Sequence, residues 1–259
     1  MREPARRLAH PNWPVLAVLL ILAAGAGRAS EDGAVWRTGV GVDQFSRTIT
    51  WDNNARTSRA SVTLFTLREE LELRPGLAFD VAAGLSLSNF NGLIFSNLPI
   101  SIDYEAGAVS SLFVGAGARA RLFRRGRLEI EGVGRFVYSM GSAKTWALEG
   151  FAVEGRATGR PSWFEASLGP RISLVSGSKL VPFLTVSANW FSGSFKMAET
   201  LSDLTGSEKK TFRAKGFVEF SLGARCDMSP RARFSAEAGL IPRPGGLDAA
   251  LSAGLTYRF

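Results

Sequence analysis

The chain has 259 residues, 46% of them hydrophobic and 21% charged, with a mean hydropathy of +0.07. That is too apolar for a disordered tail and too evenly mixed for a polytopic helical membrane protein. Glycine is frequent at 28, proline sparse at 11, and the formal charge is +8, a balance that suits many short elements broken by turns and would attract nucleic acid or an anionic membrane surface.

Part of that charge lies in the first element. Arg2, Arg6 and Arg7 precede an apolar run over 15–24, and two small-residue sites follow, Ala24-Gly25-Ala26 and Gly27-Arg28-Ala29. This is the pattern of a cleaved secretory signal, 1–29, ahead of a single domain, 30–259. The alternative, a retained helical anchor, needs about 20 apolar residues to span the bilayer. Cleavage after Ala29 removes four arginines and one glutamate, so the net charge falls from +8 to +5. With that modest charge and an exported chain, nucleic acid is not an expected partner. No cysteine lies near the cut, so a lipoprotein anchor is not expected either.

Cys226 is the single cysteine and His10, inside the leader, the single histidine. The mature chain therefore has no internal disulfide, no Ser-His-Asp or Cys-His arrangement and no histidine-containing metal site. No cofactor and no metal are expected.

Downstream the dominant period is two. Leu77, Phe79, Val81, Ala83, Leu85 and Leu87 alternate with Ala78, Asp80, Ala82, Gly84, Ser86 and Ser88. The pattern repeats through Leu112, Val114, Ala116, Ala118, Ala120 and Leu122, and again through Phe164, Ala166, Leu168, Ile172 and Leu174. Ten strands are expected near 36–46, 60–73, 77–88, 107–123, 128–139, 163–175, 180–191, 211–228, 231–241 and 247–259. The alternative is eight, with two segments used as loop hairpins. Pro170 and Pro182 fall inside these strands and should mark bulges or lie near a rim.

The connections at 74–76, 124–127, 176–179 and 229–231 are tight-turn sequences, whereas 47–59, 89–106, 140–162 and 192–210 are long; only 242–246 breaks the alternation. Such asymmetry fits a barrel with short turns on one side of a membrane and long loops on the other. Alternation alone also fits a soluble barrel whose charged face meets water. In the membrane reading that face turns inward, and it carries Arg37, Asp43, Arg68, Glu70, Glu72, Asp80, Arg119, Arg121, Glu129, Glu131, Arg135, Glu165, Arg171, Glu219, Arg225, Asp227, Arg233, Glu237 and Arg258. These are nine arginines and ten carboxylates, close enough in number to neutralise one another.

Leu251, Ala253, Leu255, Tyr257 and Phe259 alternate up to the final residue, an aromatic. At this point the sequence resembles the bacterial outer-membrane β-barrel proteins, small barrels of the type that end in phenylalanine with aromatic or apolar residues at alternate positions before it. The resemblance implies an all-β, antiparallel, up-and-down transmembrane barrel in the Gram-negative outer membrane, with Tyr257 and Phe259 recognised by the barrel-assembly machinery.

Barrels of this resemblance include proteases and lipid-modifying enzymes that use histidine, which the mature chain lacks, so no catalytic residue is expected. Glu129 and Glu131 could do acid–base work, but neighbouring arginines favour ion pairing. A ten-stranded barrel lies near the size whose interior is filled by side chains. The expected role is structural or ligand-binding through the surface loops, with a closed or nearly closed charged lumen; the alternative is a narrow, porin-like channel. In the expected loops, Lys144, Trp146, Phe151, Arg156 and Arg160 lead up to Trp163, and Phe195, Lys196, Lys209, Lys210, Arg213 and Lys215 follow later. Lys209, Lys210, Arg213 and Lys215 are the candidates for contact with lipopolysaccharide phosphates or a surface ligand. Cys226 shares parity with Phe220, Leu222 and Ala224 and is expected to face lipid.

Overall fold

The computed structural model describes residues 34–52, 57–95, 98–99, 103–104, 107–148 and 155–259; the expected leader, 1–29, lies outside them. The described chain is all strand and turn. Its strands are β1 (Val35–Trp51), β2 (Thr57–Arg74), β3 (Leu77–Phe90), β4 (Leu93–Ile94), β5 (Asp103–Tyr104), β6 (Val109–Arg125), β7 (Leu128–Gly141), β8 (Lys144–Leu148), β9 (Gly155–Leu174), β10 (Leu180–Leu201), β11 (Leu204–Ala214), β12 (Val218–Asp227), β13 (Ala232–Arg243) and β14 (Gly246–Arg258).

Ten of these close a ring of antiparallel neighbours, β1-β2-β3-β6-β7-β9-β10-β12-β13-β14, with β14 pairing back onto β1 from Arg37↔Arg258 to Phe45↔Ala250. Closure leaves no free edge, so the ring's backbone N–H and C=O groups find partners within the sheet, the condition for crossing hydrocarbon with strands. The short turns fall where expected. Gly76 and Gly126 take positive φ there, 88° and 58°, a backbone conformation that costs glycine little and other residues more.

The expected strand at 211–228 is in fact two. The chain leaves β11 at Ala214, and β12 starts at Val218. β11 pairs with the upper part of β10, from Ser192↔Arg213 to Leu201↔Leu204, and with the end of β1, Ile49↔Ala214 to Trp51↔Phe212. Above the ring, β11 thus replaces β12, β13 and β14 between β10 and β1. The long connections are also mostly strand. β1 and β2 continue to Trp51 and from Thr57, and 192–210 is the β10–β11 hairpin; the link at 140–162 contains β8 paired along β9, and the link at 89–106 the small β4–β5 hairpin. Strands prolonged beyond the membrane retain the same ladder, and their alternation carries no mark of where lipid ends.

Pro182 sits at the short-turn rim, paired with Ala224 on β12 but below the first β9 pair, Phe183↔Ser173. Pro170 marks neither a bulge nor a rim. The β9–β10 ladder skips Val186 and Ser187 opposite it and resumes at Ala188↔Leu168 with unchanged register. The bulges lie elsewhere, between Glu72 and Arg74 and between Arg121 and Phe123.

Outward positions form an apolar belt. On β9 every outward residue over 164–174 is apolar, Phe164, Ala166, Leu168, Pro170, Ile172 and Leu174, a rise of about 25 Å for a strand tilted about 40°. Leu168 is 63% exposed and Leu222 66%, and Cys226 lies on this outward face between Leu180 and Phe234. Tyr257 and Phe259 close the belt at the lower end with rings 5.4 Å apart. Such contiguous exposed apolar area is intolerable in water, so the belt faces lipid. Leu168→Arg at mid-belt should therefore cost about 2–4 kcal/mol, whereas Ser61→Arg, outward but above the belt, should stay within about 0.5 kcal/mol; urea unfolding in lipid vesicles measures both.

Candidate functional site

The lower half of the lumen is a lattice of ion pairs. Arg37 reaches Glu70 and Glu72, both at 2.8 Å, and Arg119 reaches Glu70 at 2.9 Å and Glu131 at 3.9 Å. Arg121 binds Glu129 at 2.9 Å with Arg124 beside it at 3.8 Å, and Arg68 meets Asp80 at 3.3 Å. Across the barrel, Arg135 holds Asp43 at 2.7 Å and Arg171 holds Glu237 at 2.8 Å, and between the neighbouring strands β12 and β13 Arg233 holds Asp227 at 2.7 Å. Strand parity explains the arrangement: each of these side chains occupies the alternate position to the lipid-facing residues, so the ring directs all of them to one interior. Single pairs are costly to desolvate, and shared partners such as Glu70 between two arginines offset that cost. Of the expected set, Arg258 stands opposite Arg37 at the exposed lower rim, and Arg225 lines the lumen with no ion-pair partner among the described residues.

Higher up, the lumen contains an arginine that sequence reasoning placed in a loop. Arg47 is 1% exposed; its Nη2 donates to Glu165 at 3.1 Å and Glu219 at 3.2 Å, and Asn189 Nδ2 donates to the same two carboxylates, each at 3.1 Å. The guanidinium carbon lies 4.9 Å from the Phe45 ring centre. Asp248, also overlooked, is 1% exposed. It accepts from the Thr48 backbone N–H at 2.7 Å, the Thr48 hydroxyl at 2.8 Å and Arg243 Nε at 3.0 Å. Its position explains its burial: here β1 leaves β14 for β11, and the Asp248 carboxylate takes the place of the lost ladder acceptor.

Around and above Arg47 the interior is apolar. Phe45, Trp51, Phe90, Phe95, Phe113, Trp163, Phe191, Phe195 and Phe212 are all buried in one cluster. Their rings touch in chains, such as Phe45–Trp163 at 5.9 Å, Trp163–Phe191 at 5.5 Å, Phe191–Phe212 at 5.5 Å, Phe212–Phe90 at 5.2 Å and Phe90–Phe195 at 6.0 Å. Trp163 Nε1 donates to Ser88 Oγ at 2.9 Å, so the one polar atom of that ring is satisfied. The sequence does carry the signal for this plug. In β10 the odd positions pass from Thr185 and Asn189 to Phe191, Phe195 and Met197, while the even ones pass from Leu184 and Trp190 to Ser194, Lys196 and Thr200.

Below the plug a cavity of about 310 Å3 runs among the charges. It adjoins the β12–β13–β14–β1 wall, whose inward residues include Ser235, Gly239, Ser252, Gly254 and Gly41. Glu129 and Glu131, the nearest approach to an acid–base pair, are each engaged by arginine.

The outer rim differs from the expected basic loops. Lys210 points inward, 3.5 Å from Glu208 and over the Phe95 ring at 5.5 Å, because β11 is a strand and adjacent residues take opposite faces. Lys209 and Arg213 face out, and Lys215 lies in the link between β11 and β12, its N–H donating to Thr48 O at 3.0 Å. Lys196 is in register with both Arg160 on β9 and Lys209 on β11, so three exposed cations stand side by side. Trp190 and Phe217, at the top of the belt below them, pack edge to face at 4.9 Å. Phe151 lies outside the described residues.

No protein-family model matches the chain, and no curated protein matches it. Among solved structures it is similar to the translocator domain of the autotransporter NalP from Neisseria meningitidis (10% identity, 95% of this chain and 96% of that one, TM-score 0.45). It is similar also to the outer membrane protease OmpT from Escherichia coli (9% identity, 90% and 99%, TM-score 0.45) and to the outer membrane protein OprG from Pseudomonas aeruginosa (11% identity, 88% and 96%, TM-score 0.38). These structures are outer-membrane barrels of different roles. The closed ring, the lipid-facing belt and the enclosed charges of this chain make it an integral transmembrane β-barrel.

Arg47→Leu removes the ion-pair partner shared by Glu165 and Glu219 and should destabilise the barrel by about 3–5 kcal/mol, whereas Arg124→Leu at the half-exposed rim should cost no more than about 1 kcal/mol. Equilibrium unfolding in detergent or vesicles compares the two.

Proposed function

We propose that this protein is a barrel closed to solutes that holds lipopolysaccharide phosphates on its outer face and serves a structural or ligand-binding role at the cell surface rather than a catalytic one. The closed lumen rests on the plug: nine packed aromatic rings occupy the level where a solute would have to pass. Interior packing of this kind supports a lumen closed to solutes.

The lipopolysaccharide reading rests on charge placed without compensation. The outward positions of β9, β10 and β11 carry Arg156, Arg160, Lys196, Lys209 and Arg213, and among the described residues they carry no carboxylate. Like charges directly opposite on neighbouring strands repel; Arg160, Lys196 and Lys209 form such a row. The row lies six residues beyond Trp190 along β10, about 15 Å above the Trp190–Phe217 pair, on the outer side of the apolar belt, where each cation near an anionic surface contributes about 1 kcal/mol. Lys210, which points inward, takes no part in this outer face.

The case against catalysis rests on the chemistry available. The described residues include no histidine, and Glu129 and Glu131 are tied to arginines. Export through the 1–29 leader and delivery by the barrel-assembly machinery, reading Tyr257 and Phe259, complete the proposal. A narrow porin-like channel is the second reading, favoured by the 310 Å3 cavity below the plug.

Two measurements separate these readings. In planar bilayers the refolded barrel should give no stable unitary steps; regular large steps identify the channel. The triple variant Arg160→Gln, Lys196→Gln, Lys209→Gln should bind vesicles of phosphorylated lipid A at least about tenfold more weakly, and unchanged binding removes the lipid reading.

A further inference from the structure

We propose that the cavity under the plug is a binding site for a small oxyanion, a carboxylate or a phosphate, held by the guanidinium of Arg225. Seven arginines and six carboxylates line the cavity. Six of the seven arginines meet a carboxylate: Arg47, Arg68, Arg119, Arg135 and Arg171 meet those lining the cavity, and Arg233 meets Asp227 beside it. Arg225 is the exception. Among the described residues it has no ion pair and no hydrogen bond, and its Nε is closed off from solvent.

The charged groups that act on Arg225 do not supply the missing partner. Two are cations, Arg233 and Arg119; the two anions are Glu131 and Asp227. Asp227 is taken by Arg233 at 2.7 Å, and Glu131 lies 3.9 Å from Arg119. The neighbouring wall holds nothing ionic. Arg225 is in register with Ser235 on β13, then Gly254 on β14 and Gly41 on β1. That row offers a hydroxyl and open space where other rows of the lumen offer a carboxylate.

An unmatched guanidinium beside a void suits a ligand that brings its own two oxygens, since the planar N–H fork aligns with carboxylate or phosphate in a paired contact. The volume, about 310 Å3, is at the small end for organic ligands, which favours a phosphate ion or a short carboxylic acid over a lipid headgroup. The plug closes the cavity from above, so the anion enters from the periplasmic side. This site is separate from the outer-face cations and stands whether or not those bind lipid.

The test is calorimetric titration of the full barrel, folded in detergent, with sodium phosphate and separately with sodium succinate, ionic strength being held constant with sodium chloride. Saturable 1:1 binding of either anion is expected for the wild type. Arg225→Gln should weaken it by about tenfold or more, the loss expected for one charge-assisted contact, and Arg124→Gln, at the exposed rim, should leave it unchanged. Heat-dependent gel mobility establishes that each variant is folded before titration. Absence of saturable binding of both anions to the folded wild type overturns the proposal, as does equal binding by Arg225→Gln.

Discussion

Everything in this barrel follows from the need to fill a closed ring that passes from hydrocarbon into water. Within the membrane the outer face has to be apolar, which leaves polar and charged residues to the inside. Above the membrane the outer face meets water, and the inside is free to become a hydrophobic core. The two faces therefore exchange character along single strands. β10 does this within a few residues, with Trp190 the last outward apolar anchor and Phe191, Phe195 and Met197 filling the inside above it. β2 does it as well: Leu67 and Phe65 face out below with Glu70 inside, whereas Arg59 faces out above with Leu64, Val62 and Ala60 inside.

The exchange requires a change in the wall itself. The ten-stranded ring is wide enough for arginine–carboxylate pairs and a residual cavity; the upper tier, where β11 stands in for three strands, is tight enough for aromatic rings to meet across it. The junctions of the two tiers are the points of greatest backbone demand. At one, the Asp248 carboxylate accepts from the Thr48 N–H that β14 no longer pairs. At the other, Asn189 N–H donates to Phe217 O at 2.6 Å as β10 passes from β12 to β11. Both junction residues also serve the polar lattice, Asp248 through Arg243 and Asn189 through Glu165 and Glu219, so the ladder and the ion network support each other.

Much of this was readable in the residues. Period-two alternation marked the membrane strands, and parity alone nominated the lumen charges, because in a closed ring the face opposite lipid has only one place to go. Parity failed where it was not followed far enough. Arg47 continues the inward set of Arg37 and Asp43, yet the end of the apolar outward run at Val42 suggested that the strand stopped. The same error hid the plug and turned Lys210 into a surface residue, since a strand leaving the membrane looks like a loop once its outward residues become serine, threonine and lysine. The β11–β12 break was hidden for a different reason. The apolar spacing runs on through 215–217, and nothing local announces that the two halves pair with different partners.

In the proposed reading, function divides by tier: the ionic lower lumen and its cavity receive an anion from below, the plug blocks passage of solutes, and the cationic outer face holds the surrounding lipid.

The orientation of the two faces is the claim on which all of this depends, and tryptophan quenching by lipids brominated in their acyl chains tests it most directly. A single-tryptophan variant retaining Trp190 should be strongly quenched, and one retaining Trp163 should be nearly unaffected. Strong quenching of Trp163 with little effect on Trp190 would contradict the account.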